Sequence, residues 1–271
     1  VVTNVSLEHR EYLGPTLAAI ASEKAGIIKR GVPVVTAVSQ PAALEVIRRT
    51  AQHKSAPLYR LGNEFSVRRR GSQEFTYFGL HHRWAGLTTA LQGRYQVDNA
   101  ALALAACELL QRSAPGIQLE SIRRGLSAHR WPGRLETVCE TPRVMVDGAH
   151  NLEAARQLAR HLAEQLGNRK LTLVVGILDD KPYRAMLRLL LPFADRVIAT
   201  QAKLNRALPA AAIAAFAGTV VSEVTVEPDV ASALRLAMST AGPDGLTLVA
   251  GSLYVVGEVK GALAKTGVQP G

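Results

Sequence analysis

The 271 residues are 48% hydrophobic and 20% charged, a balance that supports one large or two ordinary packed domains and excludes an intrinsically disordered chain. The longest apolar runs, such as LTLVVGIL, are strand-sized and fall short of the ~18 residues a membrane-spanning helix needs. The net charge of +10 would suit nucleic acid, but Lys and Arg are scattered apart from Arg68-Arg69-Arg70, without interleaved aromatics. The reading is therefore no nucleic-acid partner and no membrane; small polyanions such as nucleotides or polycarboxylates fit the charge.

Along the chain, VVTNV at the start is strand-like, opens without Met, and reads as the entry from a longer protein. A helix over 17–24, a strand over 33–38 and a helix over 42–51 follow. Residues 62–92 are rich in Gly, Arg and aromatics and alternate as hairpin strands do. Helices are expected at 99–112 and 119–127; Cys107 falls in the first of these as a small buried hydrophobe. With Cys139 it makes no CxxC pair, which points to a reducing, cytoplasmic compartment. Trp131-Pro132-Gly133 breaks any helix and divides the chain into 1–130 and 131–271.

Beyond that break, β-branched runs at 143–146, 171–176, 196–200, 220–226 and 246–250 alternate with helical patterns at 154–166, 183–191, 209–216 and 230–239. This rhythm predicts an α/β fold with a doubly wound parallel sheet, whose ligands sit outside the carboxyl ends of the strands.

Three strand ends carry chemistry-bearing residues. In VMVDGAHN, Asp147 ends a strand, Gly148 bends the chain, and His150 and Asn151 precede a helix whose N–H groups favour an anion. Capping explains Asn151 equally well and is the commoner meaning of such a residue. Lys181 follows a strand in GILDDKP, and Ser252 follows the last one in GSLYVVGEV. Either alone reads as solvated; together with Asp147 and His150 they share one edge if the sheet is parallel. In the first half, Glu8-His9 sits in a loop, Lys24 near a helix end beside Glu23, and Gln96 and Asn99 at a helix start where capping is again the ordinary role. Arg134 lies on the expected interdomain turn. No G-x-x-x-x-G-K-[S/T] phosphate loop occurs.

Taken in order, TNVSLEHREYLG, IASEKAGIIKRG, QVDNAALAL, RWPGRLE, VMVDGAHN, GILDDKP and GSLYVVGEV resemble the folylpolyglutamate synthase/dihydrofolate synthase family of the Mur ligase superfamily. The resemblance implies the C-terminal part of a Mur-ligase-type central ATPase domain over 1–130, followed by a Rossmann-like ligase domain over 131–271. The family's glycine-rich ATP loop would lie upstream of Val1.

It also implies a reaction. ATP phosphorylates dihydropteroate or a folate γ-carboxylate, L-glutamate attacks the acyl phosphate, and Mg²⁺ neutralises the transferring group. Residue by residue, His9 matches a magnesium-ligating histidine and Lys24 a lysine carried as a carbamate, which is an oxygen donor suited to a hard cation. Asn99 matches an adenine-side ATP contact, Arg134 a phosphate-binding arginine, and Asp147 an ATP-binding acid. Lys24 and His150 take catalytic roles, and Ser252 a substrate-binding one. A cytoplasmic monomer is expected. On this basis Asp147 to Asn151 forms the second domain's half of an interdomain ATP and amino-acid site.

The chain departs from the family pattern in Glu8 for Asp, Tyr95 for His, Leu152 for Pro, and Pro182 after DDK. The rival readings are a Mur ligase acting on a UDP-linked substrate and a non-catalytic binding module lacking the phosphate loop.

Overall fold

The computed structural model describes residues 1–7, 13–111, 117–242 and 244–265. The chain forms two compact units, Val1–Arg130 and Trp131–Gly271.

In the first unit, α1 (Leu17–Ala25) starts at Thr16, whose hydroxyl accepts the Ala19 N–H at 3.1 Å. It packs on α2 (Pro41–His53), which begins with proline, a residue with no N–H to leave orphaned there. Between them β1 (Val34–Thr36) runs parallel to β2 (Leu58–Arg60). Ile20, Ala21, Val34 and Ile47 form their core. The expected strand at the start reduces to one bridge, Val2 to Thr36. The strand β2 was not foreseen, because three half-buried residues show no alternation to read.

The hairpin region forms an antiparallel meander of β3 (Ser66–Arg70), β4 (Glu74–Phe78) and β5 (Arg83–Thr88). Its inner face, with Phe75, Tyr77, Trp84 and Leu87, packs on the small-residue helix α3 (Arg94–Leu110), and Ile122 of α4 (Leu119–Ala128) joins the same core. α3 starts at Arg94 rather than at Asn99, because Gly93, with φ at +94°, is the break in the chain. The buried Glu108 carboxylate accepts the Tyr77 hydroxyl at 2.8 Å and the N–H groups of Leu80 at 2.7 Å and His82 at 2.8 Å. It thereby pins the β4–β5 turn to α3. Burial pushes this carboxyl up, but those donors outweigh it and hold the group below its usual range.

The second unit is built on a six-stranded sheet of β6 (Glu136–Glu140), β7 (Arg143–Asp147), β8 (Leu171–Val175), β9 (Arg196–Ala199), β10 (Glu223–Val226) and β11 (Leu246–Ala250), in the order β10-β9-β8-β11-β7-β6. All pairs are parallel except β6 with β7. β8 and β11 are buried at every position, as expected of strands covered on both faces. Val144, Val146, Val174, Ile198 and Val249 face α8 (Val230–Thr240) and α9 (Leu253–Lys265). The alternate residues face the layer of α5 (Leu152–Gln165), α6 (Tyr183–Leu190) and α7 (Ala210–Ala217).

β10 is shorter than expected because the N–H groups of Val220 and Val221 both bond the Ala217 carbonyl, closing the end of α7. α9 was missed: its three valines resemble a strand, although Val255, Val256, Val259 and Leu263 are buried at helical spacing.

His161, on α5, is buried, and burial pushes its pKa below 6.5 against the pull of Glu164, with a smaller push from the Arg169 charge. The unfolded chain therefore binds the proton more readily. This contribution is complete above about pH 6.5 and is lost as pH falls from there through the lower folded value. Urea midpoints measured at neutral and mildly acidic pH are expected to fall less in His161→Leu than in the parent.

Candidate functional site

The parallel strands β8, β11 and β7 are neighbours in register and end together at Val175, Ala250 and Asp147. Each is followed at once by glycine. A side chain at Gly148 would strike Leu253, with Cγ at 2.8 Å. Gly251, at φ +104°, lies so close to Gly176 that a Cβ would sit 2.6 Å from its carbonyl oxygen. The chain therefore turns tightly at all three tips, which leaves the carboxyl edge to the residues that follow.

Asp147 is 4% exposed. Its Oδ1 accepts the Ala149 N–H at 2.8 Å and its Oδ2 the Leu135 N–H at 2.9 Å. One carboxylate thus ties the DGAHN loop to the RWPGRLE turn. Burial pushes this acid up to about 6, against the Leu135 N–H, the Arg134 charge and the Ala149 N–H. An acid with so raised a pKa beside a cation at a sheet edge marks a functional candidate.

The turn is fixed on both sides of Arg134. Gly133, at φ +72°, donates its N–H to Glu136 Oε2 at 2.6 Å and accepts the Gly148 N–H at 2.7 Å. Leu135 is buried at φ +45°, a conformation that costs a non-glycine residue about 1 kcal/mol or more and persists only where surroundings impose it. Arg134 itself is half-buried.

His150 is half-buried, with Nδ1 2.9 Å from the Gly148 carbonyl. A carbonyl only accepts, so Nδ1 donates and the neutral ring keeps its lone pair on Nε2. The capping role applies to Asn151, whose Oδ1 accepts the Ala154 N–H at 2.8 Å. Ser252 is 1% exposed, and its hydroxyl accepts the Tyr254 N–H at 3.2 Å, capping α9. At that tip the exposed side chains are Leu253 and Tyr254, at 46% and 55%. Lys181 pairs with Asp180 at 2.6 Å, and Arg206 joins it at 3.1 Å. Burial pushes Asp180 up, but these two cations outweigh it and hold the acid below its usual range.

In the first unit, Lys24 is half-buried in the last turn of α1. Asn99 is exposed inside α3, donating to Gln96 Oε1 at 3.0 Å, so it caps nothing. Glu8 and His9 lie outside the described residues. Among the described residues, no group of three or more His, Cys, Asp or Glu is placed to hold a metal.

A cavity of about 960 Å³ opens at the opposite, amino edge of the sheet. Four of its charged side chains pair with one another, Lys170 with Asp195 at 2.6 Å and Arg196 with Glu223 at 2.6 Å. Volume alone does not move the site there. Leu135 and Glu136 stand in the RWPGRLE motif, but their roles, an N–H given to Asp147 and a carboxylate taking the Gly133 N–H, depend on backbone geometry that the motif does not show.

The glutamate ligase domain of Mur ligases matches residues 133–253. Together with the parallel sheet and its edge, this defines the second unit as a Mur-type ligase domain. The dihydrofolate synthase/folylpolyglutamate synthase of Bacillus subtilis is 34% identical over 96% of the chain and 61% of its own length. The bifunctional enzyme of Mycobacterium tuberculosis is 37% identical over 80% of the chain and 47% of its own length. Escherichia coli FolC, solved with DHPP and ADP, aligns at a TM-score of 0.87 and 29% identity, covering 98% of this chain and 61% of that one. The chain belongs to the folylpolyglutamate synthase/dihydrofolate synthase family. It spans about 61% of the length of the Bacillus subtilis relative.

Proposed function

We propose that this chain serves an ATP-dependent ligase that joins L-glutamate to dihydropteroate or to a folate γ-carboxylate. The observation that carries the reading is the tie through Asp147, which places Arg134 beside a buried acid at the edge where parallel sheets bind ligands. The curated relatives are named as folate enzymes, and FolC was solved with ADP and DHPP. These names favour a folate over a UDP-linked substrate.

In the proposed reaction, a carboxylate oxygen of the acceptor attacks the γ-phosphorus of ATP and ADP leaves. The glutamate amine then attacks the acyl carbon, loses a proton and expels phosphate. Every partner is anionic except the amine, so the protein's task is to neutralise charge and hold the reactants in line. Arg134 is proposed to take phosphate oxygens, with its orientation fixed by the tied turn. The Nε2 lone pair of His150 is proposed to accept a hydrogen bond from the incoming amine. Ser252 acts through the cap that sets the tip of β11, and Asn99 is proposed for the adenine side.

A divalent cation would shield the transferring phosphoryl group. Lys24, carried as a carbamate whose oxygens suit a hard cation, would hold it together with His9, which lies outside the described residues. No step above runs through a metal. A cytoplasmic monomer remains the proposed state; among the described residues no helix is long and apolar enough to cross a membrane.

The test is turnover by the protein that carries this chain, with ATP and L-glutamate and with dihydropteroate and tetrahydrofolate in parallel. ADP release coupled to a product one glutamate heavier is expected with at least one acceptor. ADP release with neither, or only with a UDP-linked peptide, would sink the folate reading.

A further inference from the structure

The turn that carries Arg134 is held by two side chains far apart in the chain, Glu136 and Lys260. Glu136, the first residue of β6, turns its carboxylate back over the turn; Oε2 takes the Gly133 N–H at 2.6 Å. Both of its oxygens also meet Lys260 Nζ, at 2.7 and 2.9 Å. Lys260 belongs to α9, where Leu253, Val256 and Lys260 share one face at i, i+3 and i+7. All three reach this region: Leu253 packs over Gly148, Val256 Cγ1 lies 3.1 Å from where a Gly133 side chain would begin, and Lys260 holds Glu136.

We propose that Glu136 and Lys260 are positioning residues for nucleotide binding, which hold the Gly133–Leu135 backbone so that Arg134 points at phosphate. This rests on the nucleotide reading given above. Lys260 has a second effect. The Glu136 side chain is 24% exposed and two positions from Arg134 in the chain; without its lysine its charge is left unmatched beside the turn. It would compete with phosphate for Arg134 and pull the turn out of shape. A half-exposed pair of this kind adds little to stability. Its value lies in keeping an anion off the binding arginine.

The experiment measures ADP affinity by calorimetry, and KM for ATP against kcat, in the protein that carries this chain. Lys260→Met is expected to weaken ADP binding roughly tenfold and to raise KM for ATP more than it lowers kcat, with the melting temperature nearly unchanged. Lys260→Arg restores most of the affinity. Glu136→Gln keeps the acceptor for Gly133 but carries no charge, so it loses less. The double variant Glu136→Gln/Lys260→Met binds ADP better than Lys260→Met alone, since no stranded carboxylate remains. If Lys260→Met fails to fold, the ordering of Glu136→Gln and the double variant decides. A parent that binds ADP while all variants bind it equally overturns the positioning role. A parent that does not bind ADP overturns the nucleotide reading itself, and the positioning role with it.

Discussion

Asp147→Asn is expected to leave stability at neutral pH within about 1 kcal/mol of the parent while lowering the proposed ligase turnover of the protein that carries this chain by roughly a hundredfold. Two opposed effects set the first expectation. The acid titrates near 6 in the folded chain rather than 3.8, which corresponds to about 3 kcal/mol held against its ionised form. Because the folded value is the higher one, the native state grips the proton. Stability is greatest below 3.8 and is lost as pH rises through about 6. An amide removes that pH-dependent loss. It also has only one acceptor oxygen for two buried N–H groups, and orphaning one costs about 1–3 kcal/mol. The terms nearly cancel, while the charge beside Arg134 is gone.

Asp147→Ala differs: it relieves the same penalty on the ionised acid but strands both N–H groups, of Leu135 and Ala149, and at neutral pH is expected to be less stable than Asp147→Asn by about 1–3 kcal/mol. Urea denaturation at two pH values, with turnover measured in parallel, checks both variants. If Asp147→Asn keeps full turnover, the acid has no part in the reaction.

Gly251→Ala is expected to be the most damaging single methyl in the second unit, at ~3 kcal/mol or more. The new Cβ would lie 2.6 Å from a backbone oxygen of Gly176 and 2.9 Å from Ile177 Cγ1, at a residue with φ at +104°. Backbone at the tip of β8 cannot rotate aside as a side-chain terminus can. Gly167→Ala is the control: its φ is +61°, but nothing lies within 4 Å, so only the conformational cost applies, about 1 kcal/mol. Thermal melting of the pair checks the argument. Equal losses would mean that the tips of β8 and β11 are not packed as described.

The second unit's rhythm was legible because parallel strands buried on both faces must be apolar throughout. Thus LTLVV and LTLVA, at β8 and β11, read directly as strands. α9 was not legible, since Val255, Val256 and Val259 carry strand propensity and only the sheet beneath them makes their spacing helical. At the site, the sequence named Asp147, His150, Lys181 and Ser252, and the sheet order gathers all four at the carboxyl ends of three adjacent strands. It did not distinguish an exposed hydroxyl at Ser252 from a buried cap, nor a solvated Lys181 from one paired with Asp180. Those outcomes turn on burial and on distances between segments far apart in the chain.

The sequence by itself determined the alternation of strands and helices, the break at Trp131-Pro132-Gly133 and the order of the family motifs. Each is carried by residues adjacent in the chain, where local propensity and periodicity act. Only the tertiary structure decided that Asp147 binds the backbone at Leu135, and that Lys260, 124 positions from Glu136, holds the turn that carries Arg134. Hydrogen bonds between distant segments depend on where the sheet brings their ends together, and no local pattern encodes that.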